Sequence, residues 1–189
     1  MIDRELILKL LEKAKEMLIK DGKLYPISFI IKGHLMSLAP AIPTEVETNK
    51  YRNMAILGGF ARGTQADFVV ALFDGAAKHY DTPEQAKYAM ENPDTESPLS
   101  YPKSMRQECV IAQVVDFKTR KSYASLLPYS GDHPNFKFEE PTEMVETGGA
   151  MADYAIKGWD MVEEGIQKGD LPENSVSMEE AQNGEGLPE

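Results

Sequence analysis

Cysteine occurs once in the 189 residues, as Cys109. A lone thiol excludes an intramolecular disulfide framework and suits a reducing compartment, so a cytoplasmic location is expected. Long apolar runs are missing as well. The longest is FVVALF, Phe68 to Phe73, far short of the about 20 residues that a membrane span needs. The opening MIDRELILKL interleaves charged with apolar residues and lacks the basic-then-apolar layout of a signal peptide. Phosphate-binding signatures are absent too. There is no G-x-x-x-x-G-K-[ST] and no G-x-G-x-x-G, and LGGFARG (Leu57 to Gly63) has neither that spacing nor a strand before it.

Positive charge is also scarce. Lys and Arg total 20 against 31 Asp and Glu, for a net charge of −11. From Asp170 to Glu189 there is no Lys or Arg at all, only Asp170, Glu173, Glu179, Glu180, Glu185 and Glu189. Binding to a phosphate backbone depends on displacing counterions with Lys and Arg, so this balance disfavours nucleic acid as a partner. The apolar fraction of 42% nevertheless supports an ordinary core. One α+β domain is expected over residues 1–169, followed by an acidic tail over 170–189 that reads as disordered.

Within the domain, DRELILKLLEKAKEMLIKDG carries apolar residues at helical spacing (Ile7, Leu11, Ala14, Leu18), with Asp3 to cap its start and Gly22 to end it. LYPISFIIKGHLMSLAP reads as a hairpin turning at Lys32-Gly33-His34. Thr44 to Glu47, TEVE, is a capping-box pattern opening a helix to about Arg62, whose Gly58-Gly59 pair implies close packing on a sheet. ADFVVALF is apolar on both faces, as in a central strand, and Asp74-Gly75 marks a bulge or its end. Two further strands surround a polar turn near Lys118 to Lys121. A last helix runs from about Gly149 to Lys168, with Met151, Tyr154, Ala155, Trp159, Val162 and Ile166 as its inward stripe. The order is α-β-β-α-β-β-β-α, about five mostly antiparallel strands with helices packed on the sheet.

Three constellations bear on chemistry. PYSGDHPNF, Pro128 to Phe136, sets Ser130, Asp132 and His133 within four positions. Residues so close in sequence do not readily form a nucleophile–base–orienter arrangement, and Gly, Asp and Pro are what a turn after a strand requires. Asp132 and His133 stay as candidate ligand contacts. The three histidines, His34, His79 and His133, have none of the local spacings of a zinc site, so no metal or other cofactor is assigned. The third constellation is Pro93-Asp94 followed by VVDFK, with Asp116 and Lys118 on one face of a strand. It resembles the PD-(D/E)xK nucleases, and the resemblance implies two acids holding Mg²⁺ and a lysine assisting the attacking water.

YPISFIIKG, ADFVVALF and PLSYPKSMRQECVIAQVVDF leading to SLLPYS are similar to segments of small uncharacterised prokaryotic and phage α+β proteins. That resemblance implies the fold and carries no activity. The expected function is binding rather than catalysis, with a protein partner or a second copy of the chain and no membrane. The expected surface joins the loop Asp81 to Gln107 to the loop Tyr129 to Glu140, with Tyr88, Tyr101, Tyr129 and Phe136 as exposed aromatics and Arg106 as a directed polar contact. The alternative is a metal-dependent hydrolase or nuclease using Asp94, Asp116 and Lys118, or a site centred on histidine.

Overall fold

A computed structural model of the chain describes residues 2–39, 47–78 and 106–173. The elements are α1 (Arg4–Asp21), β1 (Ile27–Lys32), β2 (Leu35–Leu38), α2 (Glu47–Gly63), β3 (Phe68–Lys78), β4 (Arg106–Asp116), β5 (Lys121–Ser130), β6 (Lys137–Phe138), β7 (Val145–Thr147) and α3 (Ala150–Gln167). This is the expected α+β layout with an antiparallel sheet. Among the described residues the strands number seven rather than about five, in the order β2-β1-β3-β4-β5-β6, and β7 also pairs with β5.

α1 forms where its sequence says it should. The Asp3 carboxylate accepts a hydrogen bond from the Glu5 amide, and Gly22, at φ 72°, closes the helix with its N–H on the Leu18 carbonyl. Its buried stripe, Ile7, Leu10, Leu11, Ala14 and Leu18, packs on one face of the sheet against Val70, Leu72, Val110, Ala112, Val114 and Leu127. The opposite face, built from Ile30, Val69, Ala71, Val115 and Phe117, is covered by Met54, Leu57 and Ala61 of α2 and by Ala152 and Ala155 of α3. The alternating residues of FVVALF thus feed two separate cores, which is why β3 is apolar on both faces.

Three expectations are corrected here. Asp74-Gly75 does not end β3, because the ladder with β4 runs on regularly through Asp74↔Val110 and Gly75↔Cys109 to Lys78↔Arg106. Gly58 packs on α3 and not on the sheet. A Cβ there would lie 1.8 Å from the Ala155 carbonyl oxygen, and a Cβ on Gly158 would lie 1.8 Å from that of Ala55. The fully buried residues of α3 are consequently Ala152, Ala155 and Gly158, with Met151 and Trp159 of the expected stripe packed partly buried beside them. Tyr154 and Met161 are left 41% and 64% exposed, because only small side chains fit where two backbones approach so closely. Trp159 does face the core, stacked on Phe117 with ring centroids 4.4 Å apart. Thr44 and the chain beyond Glu173 lie outside the described residues.

Candidate functional site

The loop after β5 is held by its aromatics. Tyr129 and Phe136, expected to be exposed, are not. Tyr129 is 7% exposed, with Phe136 edge-on at 5.4 Å and Phe138 at 5.6 Å, and Phe136 is half-buried. These rings extend the α1-side core along β5 and β6, which leaves them little surface for a partner. His133 donates from Nε2 to the Ile19 carbonyl at 3.1 Å, and its ring lies over Gly22, so the loop docks on the last turn of α1. The Asn135 amide donates to the Asp132 carbonyl at 2.7 Å, closing a turn that contains the cis His133–Pro134 bond. Ser130 and Asp132 are exposed. PYSGDHPNF is a docked turn.

A part-buried polar cluster joins Tyr129 to β3 and β4, and Asp74, its carboxylate residue, keeps exposed surface. The Tyr129 hydroxyl donates to Asp74 Oδ1 at 2.7 Å, and Gln107 Nε2 donates to the Tyr129 carbonyl at 2.7 Å. Loss of water around the Asp74 carboxyl, reinforced by the charge of Glu108, holds it above the usual carboxylate range, although the bond from Tyr129 opposes this. The Tyr129 hydroxyl is pushed up by burial and by its bond to Asp74. Burial, then the Asp74 charge, raises the Cys109 thiol to about 11. At neutral pH that thiol is almost entirely protonated and a poor nucleophile.

A raised folded-state value for an acid has a definite sign. Between the unfolded and folded values the folded chain binds more protons than the unfolded one, so stability falls as pH rises through that window. Asp74→Asn keeps an acceptor for Tyr129 and removes the charge. The variant is expected to gain stability over the parent on going from about pH 3 to about pH 7, read by urea unfolding at both values. An unchanged difference between the two would show that the carboxyl carries no such penalty.

The nuclease-like residues are also placed by the structure. Asp116 is 3% exposed, and its Oδ1 accepts from the amides of Lys118 and Thr119 at 2.9 and 3.0 Å. Its role in the fold is to cap the β4–β5 turn, where Arg120 takes a φ of 60°. The Lys118 side chain is exposed, and Asp94 lies outside the described residues. Asp116→Ala strands two turn amides and is expected to cost about 1–2 kcal/mol in urea unfolding. Full stability in that variant would release Asp116 from the capping role. Tyr88, Tyr101 and His79 lie outside the described residues, while Arg106 opens β4 opposite Lys78. His34 is exposed at the β1–β2 turn. Among the described residues no group of three or more His, Cys, Asp or Glu side chains is arranged to hold a metal ion, and no helix is long and apolar enough to cross a membrane.

A different place has the shape of a binding surface. α2 and α3 run side by side in the same sense, meeting through Tyr51 and Tyr154 at one end and through the Arg62–Glu163 ion pair at the other. Between those ends the helix backbones touch at Gly58–Ala155 and Ala55–Gly158. Close approach of small residues brings the larger side chains on either side into contact. Tyr51 and Tyr154 stack at 5.2 Å with their planes 27° apart, and with Ala55 they line an outward concavity of about 430 Å³ completed by Arg52, Lys157 and Met161. Lys157 Nζ lies 6.0 Å from the Tyr154 ring centre. Ile56, 45% exposed on α2, adds apolar surface to the same helix pair.

Sequence reasoning missed this surface. The available signal was small residues placed four and seven positions after Tyr51 (Ala55, Gly58) and four after Tyr154 (Gly158). Spacing of that kind aligns small side chains along one helix face. No protein-family model, curated protein or solved structure matches the chain, so its functional reading rests on geometry and chemistry.

Proposed function

We propose that the protein works by binding another protein, and that the outer face of the α2–α3 pair is where it binds. The observation that carries this reading is the stacked Tyr51–Tyr154 pair, set in a concavity with Arg52, Lys157 and Met161. Tyr, Met and Arg are the residue types enriched in protein interfaces, and binding energy concentrates on aromatic and arginine anchors. The concavity is also preorganised. Its two walls are helices locked by backbone contact, so little ordering is left to oppose association. The volume falls in the range of ligand sites, about 300–1,000 Å³, and accommodates one or two large side chains of a partner.

A cytoplasmic location belongs to the same proposal. It is supported by a single cysteine, which is buried and protonated. Nucleic acid is disfavoured by the net charge of −11. The test is a selection from a displayed random-peptide library against the full chain. Peptides are expected to enrich, and to lose at least about tenfold in affinity for a Tyr51→Ala/Tyr154→Ala double variant of native-like stability. Enriched peptides that bind this variant as well as the parent would move the binding surface elsewhere.

A further inference from the structure

The cations of the α2–α3 face divide into two groups. Toward the C-terminal ends of the helices they are matched. Arg62 pairs with Glu163, Arg120 on the neighbouring turn pairs with Asp160 at 2.6 Å, and Lys168 pairs with Glu164 at 3.5 Å. Nearer the N-terminal ends two described cations are not. Arg52 and Lys157 are exposed, and neither has a carboxylate partner among the described residues. The unmatched pair lines the tyrosine concavity, while the chain as a whole is strongly acidic.

We infer that this concavity takes an acidic peptide segment of a partner protein, one carrying a large apolar or aromatic side chain between carboxylates. The inference rests on the binding-surface reading above and names the chemistry of the partner. The tyrosine rings, Ala55 and Met161 offer apolar surface to the central side chain, and Arg52 and Lys157 line the same concavity with cations that can receive carboxylates. The net charge does not cancel this local match, because charges more than about 8 Å away are largely screened at physiological salt. Two cations suffice for a short acidic segment. A nucleic-acid strand, in contrast, requires a basic groove that follows several consecutive phosphates.

The chain's own tail is a second source of the same chemistry, since Glu179, Glu180, Glu185 and Glu189 follow α3 in sequence. Peptide recognition by a partner-binding face is preferred because a concavity of about 430 Å³ lined by two tyrosines suits an anchor of tryptophan or phenylalanine size, and the chain after Glu173 contains no aromatic residue.

The test is fluorescence anisotropy on the full chain with short fluorescein-labelled peptides carrying a Trp-Leu pair between glutamates, between glutamines or between lysines, and with a labelled single-stranded oligonucleotide. The glutamate peptide is expected to bind most tightly, and Arg52→Glu and Lys157→Glu are each expected to weaken it by about tenfold, with the loss reduced in high salt. Both variants replace exposed residues, and circular dichroism with thermal unfolding checks that each is folded. Equal binding of the glutamate and glutamine peptides, lost in Tyr154→Ala, would overturn the acidic inference and leave the binding surface standing. Binding of any peptide that survives both charge reversals and Tyr154→Ala would overturn both, as would the absence of binding by every probe. Preference for the oligonucleotide, lost on charge reversal, would assign the face to nucleic acid instead. If Glu179, Glu180, Glu185 and Glu189 changed together to Gln tighten the glutamate peptide by tenfold or more, the occupant is the tail and the partner assignment falls.

Discussion

Gly58→Ala and Gly158→Ala are each expected to lower stability by at least about 2 kcal/mol and to disperse the tyrosine concavity. The new methyl group meets a backbone carbonyl at 1.8 Å in either case, Ala155 for Gly58 and Ala55 for Gly158. A backbone carbonyl cannot rotate away as a side chain can, so the helices must separate. Overpacking typically costs about 1–3 kcal/mol and occasionally more, and a clash with backbone at this distance belongs at or above the top of that range. Alanine's better helix propensity returns about 1 kcal/mol, which is why the net loss is smaller than the steric conflict suggests. Gly59→Ala is the internal control. Its methyl group meets Val162 Cγ2 at 3.1 Å, a side-chain atom free to shift, so its stability is expected to remain within about 1 kcal/mol of the parent. Trp159, the only tryptophan, stacks on Phe117 and reports the seating of α3 by fluorescence during urea unfolding. Equal behaviour of all three variants would mean that the helices are not in backbone contact.

Tyr129→Ala is the second change of large effect, with an expected cost of about 3–5 kcal/mol. The ring is buried between the sheet and the post-β5 loop, touching Phe136 and Phe138, and its removal leaves a cavity that a tethered turn cannot fill. The loop should then release His133 from the end of α1, so amide exchange across residues 130–136 is expected to rise. Tyr129→Phe separates the ring from the hydroxyl. It keeps the packing, removes the donor to Asp74 Oδ1, and is expected to cost about 1–2 kcal/mol. A neutral Tyr129→Phe alongside a costly Tyr129→Ala would assign the whole effect to packing.

How far the molecule is legible in its sequence depends on the range of the interactions involved. α1 can be read from its own residues, because the Asp3 cap, the apolar stripe and Gly22 are all local. β3 can be read because burial on both faces leaves an uninterrupted apolar run. β6 and β7 cannot. They span Lys137–Phe138 and Val145–Thr147, and only pairing with β5 makes them strands. Side-chain bonds from β5 fasten the same segment, Ser122 Oγ to the Thr147 carbonyl and Ser125 Oγ to that of Thr142. The α3 stripe misleads for a physical reason. Helix periodicity ranks the large apolar side chains as inward, whereas contact between two backbones selects the small ones.

The candidate sites follow the same rule. The turn function of PYSGDHPNF is legible in its Gly, Asp and Pro. The contacts that fix it are not, since they join Tyr129 to Asp74 and His133 to Ile19. For Asp116, the carboxylate that resembles a nuclease ligand has a local use, holding the two amides that follow it. For the Tyr51–Tyr154 pair, spacing marks a small-residue face on each helix but not which helix meets which, because that contact joins segments far apart in sequence.

The most direct test of the binding face is an NMR map of the uniformly ¹⁵N-labelled full chain titrated with a library-selected peptide. The expected result is amide shifts concentrated on Tyr51, Arg52, Ala55, Tyr154, Lys157 and Met161, with the post-β5 loop unmoved. Shifts confined to residues 129–140 and the end of α1, with the two tyrosines silent, would contradict it and return the binding surface to the loop.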